Sequence, residues 1–328
     1  METTERINRF IYWLCGDSKI SKIEEILTCE IVRNEYQSNG WLYTIKDNLR
    51  TDKIHDLECV LKRKVSIIKS NYRYYVKVYR YSLPNYCEYE PIKSNHLILG
   101  IGYDGIVSIP INDETNNYLI VGASGSGKSS LAISILQNLI FNHIDVIICD
   151  NKSSYDYDGL TSHLYKGLDE TIYQINQFEN LINKRLKENK QHQPILLVID
   201  ELFPFLTLDT KPRKQILNQI ALIMSKCRSV NAHMMLITQR ATSDIIDTKI
   251  LTNISNRICL ATSSVQESIN VLNTGIAFDI DTVGRGYLSV NGHLQEFQSF
   301  YTPKEKRVCM ALKTGLNQEE EITWLELD

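Results

Sequence analysis

The 328-residue chain contains nothing close to the ~18 consecutive apolar residues of a membrane-spanning helix, so no segment reads as a span. It has no CxxC pair and no Cys/His cluster. Its 8 cysteines (Cys15, Cys29, Cys59, Cys87, Cys149, Cys227, Cys259, Cys309) stand far apart, several inside apolar runs. Scattered single cysteines exclude a disulfide frame and a zinc site and read as reduced thiols of the cytoplasm. A dominant charge is missing too: a net charge of −3 and a pI near 6.2 exclude a surface coated in cations for nucleic acid, though not a local basic patch. Low-complexity tracts and internal repeats are absent. The opening METTERINRFIYWLCG places acids before its short apolar patch and is not a signal peptide. What remains is a soluble globular chain whose 43% hydrophobic content suffices for one large domain and a smaller one.

The periodicity changes along the chain. Residues 1 to about 60 show helical spacing (Ile7, Phe10, Ile11, Leu14, then Ile20, Ile23, Ile26, Leu27), broken near Ser38-Asn39-Gly40. Residues 64–83 alternate around Ser70-Asn71 and read as a hairpin. Pro84 and Pro91 punctuate a connector. From about His96, short β-branched runs (145–149, 195–199, 233–238, 257–261) alternate with amphipathic helices. That pattern predicts an α/β fold with a mostly parallel sheet covered on both faces. The expected organisation is a small α+β module over 1–95, the α/β unit over 96–305 and a tail over 306–328.

The clearest motif is Gly122-Ala123-Ser124-Gly125-Ser126-Gly127-Lys128-Ser129, followed by Ser130, after the apolar run Tyr118 to Val121. It fits GxxxxGK[ST] in full on a strand–loop–helix. The glycines let backbone N–H groups close around phosphates, and the next helix presents its positive end to them. Lys128 would reach the β/γ-phosphates of ATP and the Ser129 hydroxyl would ligate Mg2+. "PILLVIDELF" supplies the partner acid: Asp200 ends an apolar run, where it can hold the metal, and Glu201 is placed to orient or deprotonate a water. In "HMMLITQR", Gln239 stands at a strand tip, either as a γ-phosphate sensor or as a satisfied core amide. Arg228, Arg257 and Arg285 are candidates for a finger reaching a neighbour's nucleotide, or structural arginines.

In order, "GASGSGKSS", "VIICDNKSS", "LLVIDELFPFL", "MSKCRSVNAHMMLITQRATSDII", "NISNRICLATSS" and "VGRGYLSV" resemble the motor of the FtsK/SpoIIIE family of DNA translocases, within the HerA/FtsK superfamily, over roughly residues 96–300. The resemblance implies a RecA-like fold assembling as a homo-hexameric ring, with ATP at subunit interfaces and double-stranded DNA in the pore. It matches Gln239 to the family's sensor, raises Arg228 as the trans arginine with Arg257 second, and places Arg240 to Lys249 near the pore loops. Two departures stand out. Ala241 occupies a position that is often proline in the family. Val265, Gln266, Glu267 and Ile269 stand where basic DNA contacts are usual. No membrane anchor or winged-helix reader is expected, which suggests a stripped relative of the conjugation or mobile-element kind.

A second basic cluster lies in the hairpin. Lys62, Arg63, Lys64, Lys69, Arg73, Lys77 and Arg80 interleave with tyrosines and no acids. Two readings fit: a nucleic-acid or partner surface, or an exposed strand face whose lysines block edge pairing. The expected function is ATP-driven translocation of double-stranded DNA for a plasmid, transposon or other mobile element, beside a possible relaxase or membrane-anchored transfer protein. The alternatives are a viral genome-packaging ATPase, a non-translocating ATP switch scaffolding a relaxase or replication complex, and a protein-export ATPase.

Overall fold

The computed structural model describes residues 19–20, 22–27, 29–37, 39–45, 50–70, 73–112, 117–188, 190–242, 246 and 248–304. The chain divides into two compact units, Met1–Leu83 and Pro84–Asp328. The division precedes the sequence-based boundary near 95 because the connector joins the second unit: Cys87 pairs with Phe300, and Tyr89 buries against the same ring. The tail at 306–328 and the spacing that starts at Ile7 fall outside the described residues.

In the first unit, strands β1 (Ile31–Gln37), β2 (Gly40–Ile45), β3 (Val65–Ser70) and β4 (Arg73–Tyr79) form an antiparallel sheet of order β1-β2-β4-β3, joined by helix α1 (Ile54–Leu61). The helical spacing read for residues 1 to about 60 fails from Ile31, ahead of the break read near Ser38-Asn39-Gly40, and among the described residues α-helix returns only at Ile54–Leu61. A β1–β2 hairpin stands between, with Gln37 opposite Gly40. Its signal is the alternation Trp41, Tyr43, Ile45, all buried, against the half-buried Leu42 and Thr44. Ile23 and Leu27, one helical turn apart, close this core with Leu57, Val76 and Val78. The β3–β4 hairpin forms as its alternation predicts, with Ser70 opposite Arg73.

The second unit begins with β5 (Cys87–Glu88), β6 (His96–Gly102), β7 (Gly105–Pro110) and β8 (Asn117–Val121), followed by helix α2 (Lys128–Phe141). Next come β9 (Asp145–Asp150), β10 (Leu164–Lys166), α3 (Leu168–Lys187), β11 (Ile195–Asp200) and α4 (Thr210–Cys227). β12 (Ala232–Thr238), α5 (Thr248–Thr252), β13 (Asn256–Leu260), α6 (Val265–Leu272), β14 (Arg285–Val290) and β15 (His293–Tyr301) complete it. The 11-stranded sheet runs β10-β9-β11-β12-β8-β13-β14-β15-β6-β7, with β5 on β15. It is parallel from β10 to β13, and β13, β14, β15, β6 and β7 are antiparallel in turn.

The central strands are continuous apolar runs because both their faces are covered. Successive residues go to opposite cores. Leu119, Val121, Leu197 and Ile199 pack with α3 and α4 through Phe178, Ile182 and Ile220. Tyr118, Ile120, Leu196 and Val198 pack with α2 through Leu131, Ile135 and Leu139. Each such fully buried side chain contributes roughly 1.5–3 kcal/mol. One consequence of strand order carries into the site: the strand entering the glycine-rich loop and the strand ending at Asp200 are not neighbours. β12 lies between them, with Thr238 beside Val121 and Ile237 beside Asp200.

Candidate active site

The loop 122–127 leaves β8 and turns into α2. Gly127 caps the helix at φ 103°. A Cβ there would stand 3.1 Å from the nitrogen of Gly284, whose N–H donates to the Ser126 carbonyl at 2.9 Å. Gly284, itself at φ 76°, is thus a backbone clamp on the loop, which gives the Gly284-Arg285-Gly286 motif a physical reason. The Ala123 N–H donates to the Ala261 carbonyl at 2.6 Å on the other side. Ser124 and Gly125 are exposed, and Ser129 and Ser130 sit half-buried in the first turn of α2. The first N–H groups of a helix have no partner inside it, so this turn offers donors and positive potential to an anion.

Lys128 is buried and donates to the Ala123 carbonyl at 2.8 Å, bridging the loop it belongs to. Burial and the nearby Lys152 charge lower its ammonium to a pKa of about 8, against the pull of Glu201 and Asp200. Asp200 is buried at the tip of β11, and neither of its carboxylate oxygens accepts a hydrogen bond among the described residues. Burial raises its pKa, with Lys152 opposing. The buried Tyr157 hydroxyl faces Asp200 without meeting hydrogen-bond geometry. Burial first, then that carboxylate, push it well above the ordinary tyrosine value.

Glu201 follows with a left-handed backbone, φ 77°, which costs a non-glycine residue about 1–3 kcal/mol and turns its side chain back toward the sheet. Its N–H donates to the Ile237 carbonyl at 2.9 Å. Its Oε1 accepts from the Thr238 hydroxyl at 3.0 Å and from the N–H groups of Gln239 and Phe203, both at 3.3 Å. Oε2 accepts no hydrogen bond among the described residues. The Thr238 hydroxyl also lies 3.2 Å from the Arg240 carbonyl and accepts from the Arg240 N–H at 3.4 Å. One hydroxyl therefore touches both Glu201 and the backbone of Arg240. Sequence reasoning gave Thr238 no role; its hydroxyl directly before Gln239 in "ITQR" was the available signal.

The fold brings together the loop, Lys128, Ser129, Asp200, Glu201 and the tip bearing Gln239, whose side chain is half-buried. The arginines differ. Arg228 is exposed just after α4. Arg257, the second finger candidate, instead donates to the carbonyls of Leu251, Ile254 and Val271 at 3.0, 3.3 and 3.2 Å. Its guanidinium is held inside its own subunit, with its pKa lowered by burial. Arg285 bonds Gln298, Glu296 and the Pro84 carbonyl. Arg240 is exposed, and exposed Lys249 donates to Asn218 at 3.0 Å. Residues 243–245 and 247 between them fall outside the described residues.

In the first unit, Lys62 is exposed with a left-handed backbone capping α1. Arg63 donates to the Arg80 carbonyl at 2.7 Å, and Lys64 pairs with Glu58 at 3.4 Å. Lys77 is buried, its ammonium 5.1 Å from the Tyr79 ring centroid. The structure does not present 62–80 as one free basic face.

Residues 118–262 match the family model of the ATPase family associated with various cellular activities (AAA). The DNA translocase FtsK of Staphylococcus aureus (strain Mu50 / ATCC 700699) is 24% identical over 220 residues, covering 56% of this chain and 27% of the relative. The DNA translocase FtsK of Corynebacterium glutamicum is 26% identical over 270 residues, covering 68% of this chain and 29% of its own length. The chain thus spans under a third of each. Among solved structures, the pCW3 conjugation coupling protein TcpA, in a monomer form with ATPγS, aligns with a TM-score of 0.64 and 19% identity over 90% of this chain and 98% of that one. The cytoplasmic domain of the type VII secretion ATPase EccC of Thermomonospora curvata aligns at 0.55 with 20% identity, over 71% of this chain and 33% of that one. The second unit carries an ATPase domain, similar in sequence to these FtsK translocases and in fold to TcpA.

Proposed function

We propose that the chain is an ATP-driven translocase of double-stranded DNA, acting in the cytoplasm as a homo-hexameric ring in the transfer or maintenance of a plasmid, transposon or other mobile element. The observation that carries this reading is the Thr238 hydroxyl, which donates to Glu201 and accepts from the Arg240 N–H at the start of the candidate DNA-contact segment. Two buried Asp200 oxygens without hydrogen bonds, across β12 from the Ser129 turn, fit a hard divalent cation. Bound magnesium–ATP supplies the phosphoryl group that is cleaved and the charge that polarises it. Lys128 and the first turn of α2 hold phosphates, Ser129 and Asp200 hold the metal, and Glu201 orients and deprotonates the attacking water. Gln239, at the tip between the two, senses the γ-phosphate. Arg228 reaches the neighbouring subunit's site, while Arg240 and Lys249 face DNA. The named relatives are DNA translocases, and TcpA is a conjugation coupling protein, which supports the substrate class.

A second reading, an ATPase acting on polypeptide, is favoured by one feature. Helix α6 exposes Val265 (45%) and Ile269 (39%) where the family resemblance expects basic residues. The deciding experiment measures ATPase rate with and without duplex DNA, together with displacement of a triplex-forming strand. Stimulation and displacement are expected, and mixtures of inactive Arg228→Ala and Lys128→Ala chains should regain part of the activity. A rate indifferent to DNA, without displacement, overturns the translocase reading in favour of the polypeptide one. Mixtures dead at every ratio overturn the role given to Arg228.

A further inference from the structure

Lys152 has no role in the scheme above. It lies just past β9 in the Asp150-Asn151-Lys152 motif, and its ammonium stands 3.6 Å from Asp200 Oδ1 and 3.5 Å from Glu201 Oε2. These are two of the carboxylate oxygens that accept no hydrogen bond. The loop around the lysine is pinned. Asp150 Oδ1 accepts from the Lys152 N–H at 3.0 Å, while Oδ2 accepts from the Ser154 N–H and hydroxyl at 2.7 and 2.9 Å. The Asn151 amide donates to the Glu201 carbonyl at 2.8 Å, and its oxygen accepts from Thr171 at 2.6 Å. The lysine therefore stays opposite the tip of β11, with its side chain 28% exposed over carboxylates that are 1% and 5% exposed.

Two adjacent buried carboxylates, with buried Asp150 beside them, need a compensating positive charge, because an unpaired buried charge is strongly destabilising. Beside Lys128, which both carboxylates also attract, Lys152 supplies it without coordinating. Its separations exceed the roughly 2.7–2.9 Å of a charge-assisted hydrogen bond, so the pair is electrostatic and loose. A tight bridge would keep a metal out. A loose ammonium reaching in from the wetter edge neutralises the pair and can leave.

We propose that Lys152 is a resident counter-cation: it neutralises Asp200 and Glu201 while the site holds no divalent cation and must give way when magnesium enters, so it sets how readily the site takes the metal. The proposal rests on the reading of Asp200 as the metal-holding carboxylate. It makes Lys152 a positioning residue and gives the motif a purpose: metal enters with the nucleotide and not before it.

The test titrates MgCl2 into the nucleotide-free full chain and follows its melting temperature and the heat of binding. The wild type and Lys152→Arg should respond weakly. Lys152→Met should melt lower without metal and regain stability as magnesium is added, binding it roughly tenfold or more tightly than the wild type, because a cation next to the metal's carboxylates has gone. Should Lys152→Met fail to fold, Lys152→Met/Glu201→Gln relieves the charge imbalance, keeps Asp200, and should still show the gain. Chains without the Lys152 ammonium that titrate like the wild type overturn the proposal. Magnesium-dependent binding of ATPγS to Asp200→Asn separates the two readings. If that binding is kept, the metal assignment fails and the lysine proposal with it. If it is lost while Lys152→Met behaves as wild type, the lysine proposal alone falls.

Discussion

The stretch 62–80 of the first unit carries 7 lysines and arginines without an acid, while the second unit's site shows one lysine over two carboxylates. In the first unit, Arg63, Lys64 and Lys77 turn to partners in their own module: a carbonyl, an acid and a ring. In the second, the carboxylate oxygens that Lys152 faces make no hydrogen bond among the described residues. Charge density along a sequence therefore points poorly to a binding site, because a folded module can consume its own cations. Buried polar atoms left without hydrogen bonds point better, since leaving one unsatisfied costs ~1–3 kcal/mol that only a ligand or a role repays.

The hardest blow to this comparison would come from the second unit. Lys128→Ala should abolish nucleotide turnover, and Glu201→Gln should keep ATP binding while hydrolysis falls by several orders of magnitude. Near wild-type turnover in Glu201→Gln, alongside a dead Asp200→Asn, would move the base elsewhere. A medium effect is expected from Thr238→Val, which keeps the side chain's shape and removes its hydroxyl. DNA-stimulated turnover should drop about tenfold, the scale of one hydrogen bond to a charged group, with ATPγS affinity unchanged. An equal fall in basal and stimulated rates would mean that Thr238 merely supports Glu201 and carries nothing from Arg240.

The smallest effect separates the two basic regions directly. Arg240→Ala and Lys249→Ala should weaken DNA-stimulated activity and spare basal turnover. Each should also flatten the salt dependence of DNA binding by about one unit of slope for every phosphate left without its cation. Neutralising Lys62, Arg63 and Lys64 together should change the slope less, because Arg63 and Lys64 are already engaged. A larger loss from that triple variant would make the first unit the DNA grip.

Much of the second unit was legible in the sequence because its signals are local. A glycine-rich loop between an apolar run and a helix needs no distant partner, and Asp200 announces itself by ending a buried strand. The hairpin at 31–45 was obscured because the helical spacing before it invites continuation, although Trp41, Tyr43 and Ile45 alternate. Arg257 stayed open between a finger and a structural arginine for another reason: its partners are the backbone carbonyls of Leu251, Ile254 and Val271, a kind of contact no side-chain pattern encodes. Lys152 and Thr238 were visible as letters in motifs. Their meaning depends on the register that sets β12 between β8 and β11.

Strand β12 also has a mechanical side. Its 7 residues cover about 23 Å at ~3.3 Å each, and it is hydrogen-bonded along both edges, to β11 and β8. A ribbon laced on both sides neither stretches nor slides alone, so it behaves as a pushrod. At one end stands the turn bearing exposed Arg228, and at the other the Thr238 hydroxyl between Glu201 and Arg240. A push on that turn would therefore move β12 and β11 as one, and Glu201 with them, through the ladder and the Thr238 hydroxyl.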